Sequence, residues 1–312
     1  MSLRRLVRRP PPRLFAQKKT GVTHLSFNGS GLGISDLNAL ECVDQITLRA
    51  ENTDFSNRVK ANPNNLPEHF GESRALLERS IALMPDMDPT LIVRLLAKTR
   101  KLDGISNAEM GNLLNAIEPR IQDFSAQQLT RLMFHVAHSR NTIPPESNFA
   151  RVLLERADVI FSNYSICPPR VVAKLAVSIS LLDGDKRHSK LMIKIQELAL
   201  AVLSDMDPEH VQQLAFSMGQ YGLCENRELV SLLTARAVTL SPVTPVKTYS
   251  SLLISLSRLE RPSEDQNWKI LKRIYVDHIG LGSDREPHIS TLRQLVKLNE
   301  IQLRRIRNAL VW

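Results

Sequence analysis

The segment MDPEHVQQLAFSM, at residues 206–218, combines a helix start with an apolar helix face. Asp207 can cap a helix by accepting a backbone N–H, and Pro208 suits the first helical position because its missing N–H has no partner there. Apolar residues follow three, six, seven and ten residues after the proline: Val211, Leu214, Ala215 and Met218. This spacing predicts an amphipathic helix.

The same template recurs along the chain at a nearly constant spacing. Helix starts are predicted at 89, 126, 169, 208 and 246, with a weaker copy near 286, so the gaps are 37, 43, 39, 38 and about 40 residues. A period of ~20–50 residues is typical of repeat arrays. The sequence therefore predicts an all-α fold, an α-solenoid of about five to six helical hairpins with a period of roughly 37–43 residues.

A second apolar segment lies between successive copies and supplies the other helix of each hairpin. One hairpin cannot bury its own apolar faces, so neighbouring hairpins must stack. The expected core residues of two such segments are Leu191, Ile193, Ile195, Leu198 and Leu200 in one, and Leu229, Leu232, Leu233 and Val238 in the other.

Residues 1–35 differ in composition from the rest of the chain. They hold seven Arg and Lys residues, no Asp or Glu, and three consecutive prolines. An Arg-rich, acid-poor N-terminal segment is typical of mitochondrial transit peptides. We therefore expect a targeting leader and flexible linker over 1–35 and a location in the mitochondrial matrix, with a plain basic tail as the alternative.

Two further regions follow this leader. Residues 36–84 are expected to cap the array with a short helix from Asp36 and a second helix over Glu72–Met84. Residues 85–312 form the helical-repeat array and its atypical C-terminal cap, which ends in a helix over Glu300–Trp312.

The overall charge says little about nucleic-acid binding by the array. The chain carries +9, but seven of its 41 bases lie in 1–35, which leaves 34 bases against 32 acids elsewhere. Three widely spaced cysteines argue against a disulfide framework or a Cys-X-X-Cys site. Apolar runs are too short for a membrane span, so we expect none.

The sequence contains no recognisable catalytic motif. Phosphate loops, metalloprotease helices, nucleophile elbows and kinase signatures are missing from the sequence. His135 and His138 could share a metal, but a helix-surface pair without a third ligand is usually incidental. We therefore expect no enzymatic activity, no catalytic residues, no cofactor and no metal site.

Polar residues recur one, five and nine positions after each helix start, a turn apart and therefore on one helix face. Stacking would place equivalent positions side by side, and such a row could track an RNA backbone. The residues that we expect to contact RNA in this row are Arg94, Lys98, Arg131, His135, Arg170, Lys174 and Gln213. Ser251 continues the row as a hydrogen-bonding group, and the same polar face includes Ser178, Ser217 and Ser255. The alternative is an ordinary solvated face.

Two other features bear on RNA contact. Residues 266–312 carry nine bases against four acids, and Arg304 and Arg307 share a face of the last helix. We expect these two arginines to contact RNA, with a solvated surface or an acidic protein partner as the alternative. Phe134 and Phe216 occupy equivalent positions eight after their helix starts, where apolar residues recur, so we expect inter-helix packing from them in preference to base stacking.

The repeat length, the Arg-rich leader and the segment Phe124-Ser-Ala-Gln-Gln-Leu-Thr-Arg-Leu-Met133 resemble a group of organellar helical-repeat proteins. This group comprises octotricopeptide, heptatricopeptide and FAST-kinase-like proteins and the helical-repeat subunits of kinetoplastid mitochondrial RNA-processing complexes. The resemblance covers about 85–310 and implies a role in mitochondrial RNA stability, processing, editing or ribosome assembly.

Two functional hypotheses follow. The first is a non-catalytic mitochondrial repeat protein that binds RNA, or holds an RNA–protein complex together with other protein subunits. The second is a purely protein–protein scaffold subunit with no RNA contact, since solenoid surfaces commonly bind proteins.

Overall fold

The computed structural model describes residues 33–56, 66–102, 105–139, 147–222, 227–244, 246–257 and 259. The described residues form α-helices and short 3₁₀ turns, with no strand among them. The helices are α1 (Ala39–Ser56), α2 (Leu66–Ala82), α3 (Pro89–Thr99), α4 (Asn107–Ile117), α5 (Ala126–Ala137), α6 (Asn148–Phe161), α7 (Pro169–Leu182), α8 (Ser189–Val202), α9 (Pro208–Tyr221), α10 (Arg227–Leu240) and α11 (Val246–Ser257). The fold is all-α, as predicted.

The predicted helix starts are confirmed to the residue at α3, α5, α7, α9 and α11. Asp88 Oδ1 accepts from the Thr90 backbone N–H at 2.7 Å, and Asp207 Oδ1 accepts from that of His210 at 2.9 Å. Ser125 forms a reciprocal capping box with Gln128. Each cap satisfies backbone donors that the first helical turn leaves without partners, which is why the helices begin there.

Each odd-numbered helix contacts the next odd-numbered helix, from α1 to α11. Among the even-numbered helices, α2 contacts α4 and α6 contacts α8. The predicted apolar positions face these contacts. Three sets of buried residues lie three, six and ten positions after the helix starts: Ile92, Leu129, Val172, Val211 and Tyr249; Leu95, Leu132, Leu175, Leu214 and Leu252; Thr99, Val136, Ile179, Met218 and Leu256. All of them except the buried Thr99 belong to one continuous hydrophobic core that extends from Leu37 to Leu259.

Two predicted core residues of the second helices are wrong. Ile193 is 46% exposed and Leu232 is 42% exposed. Ile193 lies two residues from Leu191, so a helical turn of about 200° carries its side chain away from the core. Leu232 lies one residue, or about 100°, from the buried Leu233.

The N-terminal helices differ from the prediction in their limits. A 3₁₀ turn occupies Ile34–Asp36, and α1 starts later, at Ala39, and runs for 18 residues. Asn38 supplies the cap, because its Oδ1 accepts from the Glu41 N–H at 3.0 Å while Glu41 Oε2 accepts from the Asn38 N–H at 2.9 Å. The second helix, α2, begins at Leu66, before the predicted Glu72.

Arginines near the ends of four second helices bind backbone carbonyls that precede the first helix of the same hairpin. The bonds run from Arg79 to Leu37 at 3.1 Å, from Arg120 to Met84 and Pro85 at 2.6 Å each, from Arg156 to Gln122 at 3.0 Å, and from Arg236 to Met206 at 2.9 Å. A guanidinium offers several donors in a rigid fork, which suits carbonyls exposed by a turn. These four arginines therefore stabilise their hairpins. The remaining second helix with described side chains throughout, α8, contains no arginine.

A buried carboxylate fastens the turn after α7 to the end of α9. Asp183 accepts backbone N–H bonds from Arg187 at 3.0 Å and His188 at 2.8 Å, and it accepts the Tyr221 hydroxyl at 2.5 Å. Burial and the neighbouring Asp183 carboxylate raise the pKa of Tyr221. Gly222 ends α9 with a φ of +71°, a left-handed conformation that glycine adopts without strain.

Candidate nucleic-acid interface

The two basic residues predicted on α3 are already paired with acids of α1. Arg94 binds Asp44 at 2.8 Å, and Lys98 binds Glu51 at 2.9 Å. Both pairs are partly exposed, so each contributes little to stability. The pairing nevertheless neutralises the positive charge that α3 was expected to present to RNA.

Three basic residues on α5 and α7 lie close together without such partners. Arg131 and Arg170 are exposed and Lys174 is half-buried. Among the described residues, no carboxylate pairs with any of the three. We call Arg131, Arg170 and Lys174 the cation cluster. It concentrates positive charge where the rest of the array is close to neutral.

Lys174 shows that the members of this cluster influence one another. Its ammonium lies 4.8 Å from the centroid of the Phe134 ring, so it spans the α5–α7 contact in cation–π geometry. Burial lowers the pKa of Lys174, and the charges of Arg170 and Arg131 lower it further, while Glu209 on α9 acts in the opposite direction. The three positive charges repel one another, and a bound polyanion would relieve this repulsion.

His135 does not add to the positive charge near pH 7. Burial lowers its pKa to about 4, with further contributions from Arg100, Lys174, His138 and Arg131. Its carbonyl accepts from Arg100 at 3.2 Å, and its Nδ1 is buried with no hydrogen-bond partner among the described residues. The imidazole predicted to contact RNA is therefore a half-buried neutral group beside the cation cluster.

Gln213 lies five residues after the start of α9, the position that Arg131 and Lys174 occupy in α5 and α7. Its amide Nε2 donates to Glu209 Oε1 at 3.1 Å. Its Oε1 is buried and accepts no hydrogen bond within the described part of the chain. Buried polar atoms are nearly always hydrogen-bonded, so an enclosed acceptor without a donor is unusual.

Gln213 lines an open groove of about 470 Å³ across α5, α7 and α9. Its lining is mixed, with aromatic, aliphatic and amide side chains: Phe134, Ala137, His138, Val177, Leu181, Gln212, Gln213 and Phe216. Ala137, Val177 and Leu181 are the most buried lining residues, at 0%, 5% and 9% exposed. Helix α7 contacts both α5 and α9 and so lies between them. The cation cluster meets this groove at Phe134, whose ring also faces Lys174.

Phe134 and Phe216 pack against the core from partly buried positions, which confirms the packing role expected of them. They also line the groove, and the ring of His138 lies 4.1 Å from that of Phe134, measured between centroids. Sequence reasoning missed His138 and Gln212 as groove residues. The four-residue spacing of Phe134 and His138 on one helix was the available signal.

The serines nine residues after the starts of α7, α9 and α11 do not extend the polar face as predicted. Ser178 and Ser217 are fully buried, and Ser255 is 2% exposed. Each hydroxyl donates to the carbonyl four residues earlier, at 2.8, 2.7 and 2.9 Å respectively. A small hydroxyl satisfied by its own helix can enter a helix–helix contact, so these serines belong to the packing surface.

Some predicted features lie outside the described residues. Arg304 and Arg307 are among them, as are residues 1–32 of the leader and the basic region 266–312. In the part of the chain that the structure covers, no three His, Cys, Asp or Glu side chains converge as a metal site would require. None of the described helices is both long and apolar enough to cross a bilayer.

Comparison with known proteins adds no relative. The chain matches no protein-family model and no curated protein sequence. The resemblance to organellar helical-repeat proteins therefore stays a prediction that rests on the sequence features given above.

Proposed function

We propose that the chain is an α-solenoid of five to six stacked hairpins that binds RNA through the cation cluster on α5 and α7. The solenoid is supported by helix starts 37 to 43 residues apart and by the unbroken series of contacts among odd-numbered helices. In such an array, equivalent positions of successive repeats form an extended surface.

The observation that carries the RNA proposal is the difference between neighbouring repeats. Arg94 and Lys98 are neutralised by acids of α1, whereas Arg131, Arg170 and Lys174 have no acidic partner among the residues described. Unpaired cations on adjacent helices suit phosphates, which supply most of the affinity in nucleic-acid binding. The contact with RNA is narrower than the sequence predicts, and it is centred on two helices.

The proposed setting is the mitochondrial matrix, where the protein holds RNA within an RNA–protein complex that processes, edits or stabilises RNA or assembles ribosomes. The supporting features are the acid-free, Arg-rich residues 1–35 and the resemblance of the repeats. The role is non-catalytic and needs no cofactor. Other subunits would bind the remaining faces of the solenoid.

Two measurements test this proposal. Filter binding of the full chain to single-stranded RNA should give a dissociation constant in the micromolar range or tighter at physiological salt, with strong weakening as salt rises. Affinity purification from mitochondria, with and without ribonuclease, should recover partners that depend on RNA. No RNA binding, together with partners that survive ribonuclease, would favour the protein-only scaffold.

A further inference from the structure

We infer that the groove across α5, α7 and α9 takes one unstacked base of a single-stranded RNA whose phosphates lie on the cation cluster. This inference rests on the proposed function and specifies the form of RNA that is bound. A duplex buries its base faces in stacking, so it cannot offer a base to a groove of this kind.

The shape and lining of the groove suit an aromatic ligand. Its volume of about 470 Å³ falls in the range of small-molecule sites, ~300–1,000 Å³. His138, directly after α5, and Phe216 on α9 supply aromatic rings on the two sides, while Val177 and Leu181 of α7 form the apolar floor. Apolar and aromatic walls favour a flat ring with little regard to which base it is.

One polar group gives the groove a hydrogen-bonding position. Gln213 Oε1 is buried with no donor among the described residues, and Gln213 lines the groove. The other end of the same amide is held by Glu209, so the acceptor is oriented. A base carries N–H donors on its edge, and one of them would satisfy this oxygen once the amide turns from its buried position toward the groove.

The charge around the groove selects RNA over an uncharged aromatic ligand. Lys174 lies 4.8 Å from the Phe134 ring centroid, at the rim, and Arg131 and Arg170 are near enough to act on the pKa of Lys174. Glu209 is the acid that faces this cluster from α9. A ligand with a base and adjacent phosphates fits both the apolar groove and the positive rim.

The test compares two fluorescent oligomers on the full chain by anisotropy: oligouridine of about 12 nucleotides, and an abasic ribose-phosphate oligomer of the same length. The wild-type protein should bind oligouridine about tenfold more tightly. Phe216→Leu, which keeps apolar packing, and Gln213→Ala should each remove most of this preference while leaving affinity for the abasic oligomer unchanged. Tyr164→Phe, a change at an exposed ring outside the groove, is the control and should keep the preference.

The outcomes distinguish base binding in the groove from RNA binding by the cation cluster. Equal wild-type binding of the two oligomers, or a preference that survives both groove substitutions, overturns the groove as a base site while RNA binding by the cation cluster stands. Binding of neither oligomer overturns the proposed function as well. A matched RNA duplex should bind no better than the abasic oligomer, and tighter duplex binding also contradicts the groove.

Discussion

The ammonium of Lys174 on α7 lies 4.8 Å from the centroid of the Phe134 ring on α5. This contact joins the cation cluster to the groove and holds the lysine at the seam between two repeats. Cation–π contacts of partly exposed side chains are worth about 0.5–1 kcal/mol. A double-mutant cycle with Lys174→Met and Phe134→Leu should give a coupling free energy of about that size in urea unfolding. Independent effects of the two substitutions would show that the contact does not stabilise the fold.

Arg120 should matter more for stability than a basic residue in a surface ion pair usually does. It donates to the carbonyls of Met84, Pro85 and Met87. Arg120→Met leaves these acceptors without their charged donor, so we expect the free energy of unfolding to fall by about 2–3 kcal/mol. Arg151→Met removes an exposed pair with Glu155 and an exposed bond to Asn148, both within the same helix, and should cost no more than ~0.5 kcal/mol. Equal losses in chemical denaturation would contradict the role given to Arg120.

The hydroxyl of Tyr221 is expected to stabilise the turn after α7. Tyr221→Phe removes the bond to the buried Asp183 but leaves the two backbone donors to this carboxylate in place. The loss should be about 1–2 kcal/mol and should appear as a lower midpoint in thermal unfolding. Tyr164→Phe is the matched control, because Tyr164 is 39% exposed, and it should leave the midpoint unchanged.

His135 should make stability depend on pH between about 6.5 and 4. Its pKa is lowered to about 4 in the folded chain, so the imidazole is neutral in both states above pH 6.5. As the pH falls below 6.5, the unfolded chain takes up the proton and the folded chain does not. The unfolding free energy therefore drops, by at most about 3 kcal/mol at pH 4.

His135→Gln removes this titration. The difference in unfolding free energy between wild type and variant should shift in favour of the variant as the pH falls from 7 to 4.5. Parallel pH profiles for the two proteins would show that His135 titrates normally in the folded chain.

The repeat spacing and helix starts could be predicted because their causes are local. Asp207 and Pro208 mark a helix start by themselves, and the apolar residues that follow obey the helical period. One local signal was overlooked: α1 begins at Ala39 and not at Asp36, because Asn38 and Glu41 form a reciprocal cap three residues apart.

The site could be predicted only in part, because charge on a helix face does not reveal its partner. Arg94 and Arg131 occupy equivalent positions, yet Asp44 neutralises one and no described acid neutralises the other. Asp44 lies 50 residues from Arg94 in the chain, so the pair forms only when α1 packs against α3. The groove is likewise a product of three helices, and no single segment encodes it.

An RNA interface on α5 and α7 predicts how the affinity for RNA changes with salt concentration. In the full chain, Arg131→Gln with Lys174→Gln should weaken binding of oligouridine more than tenfold and reduce the slope of log K against log salt by about 1.4, or ~0.7 for each lost phosphate contact. Arg94→Gln with Lys98→Gln removes the same charge from neutralised positions and should leave both quantities near wild type. Equal effects of the two double variants, or no effect of the first, would contradict an RNA interface on α5 and α7.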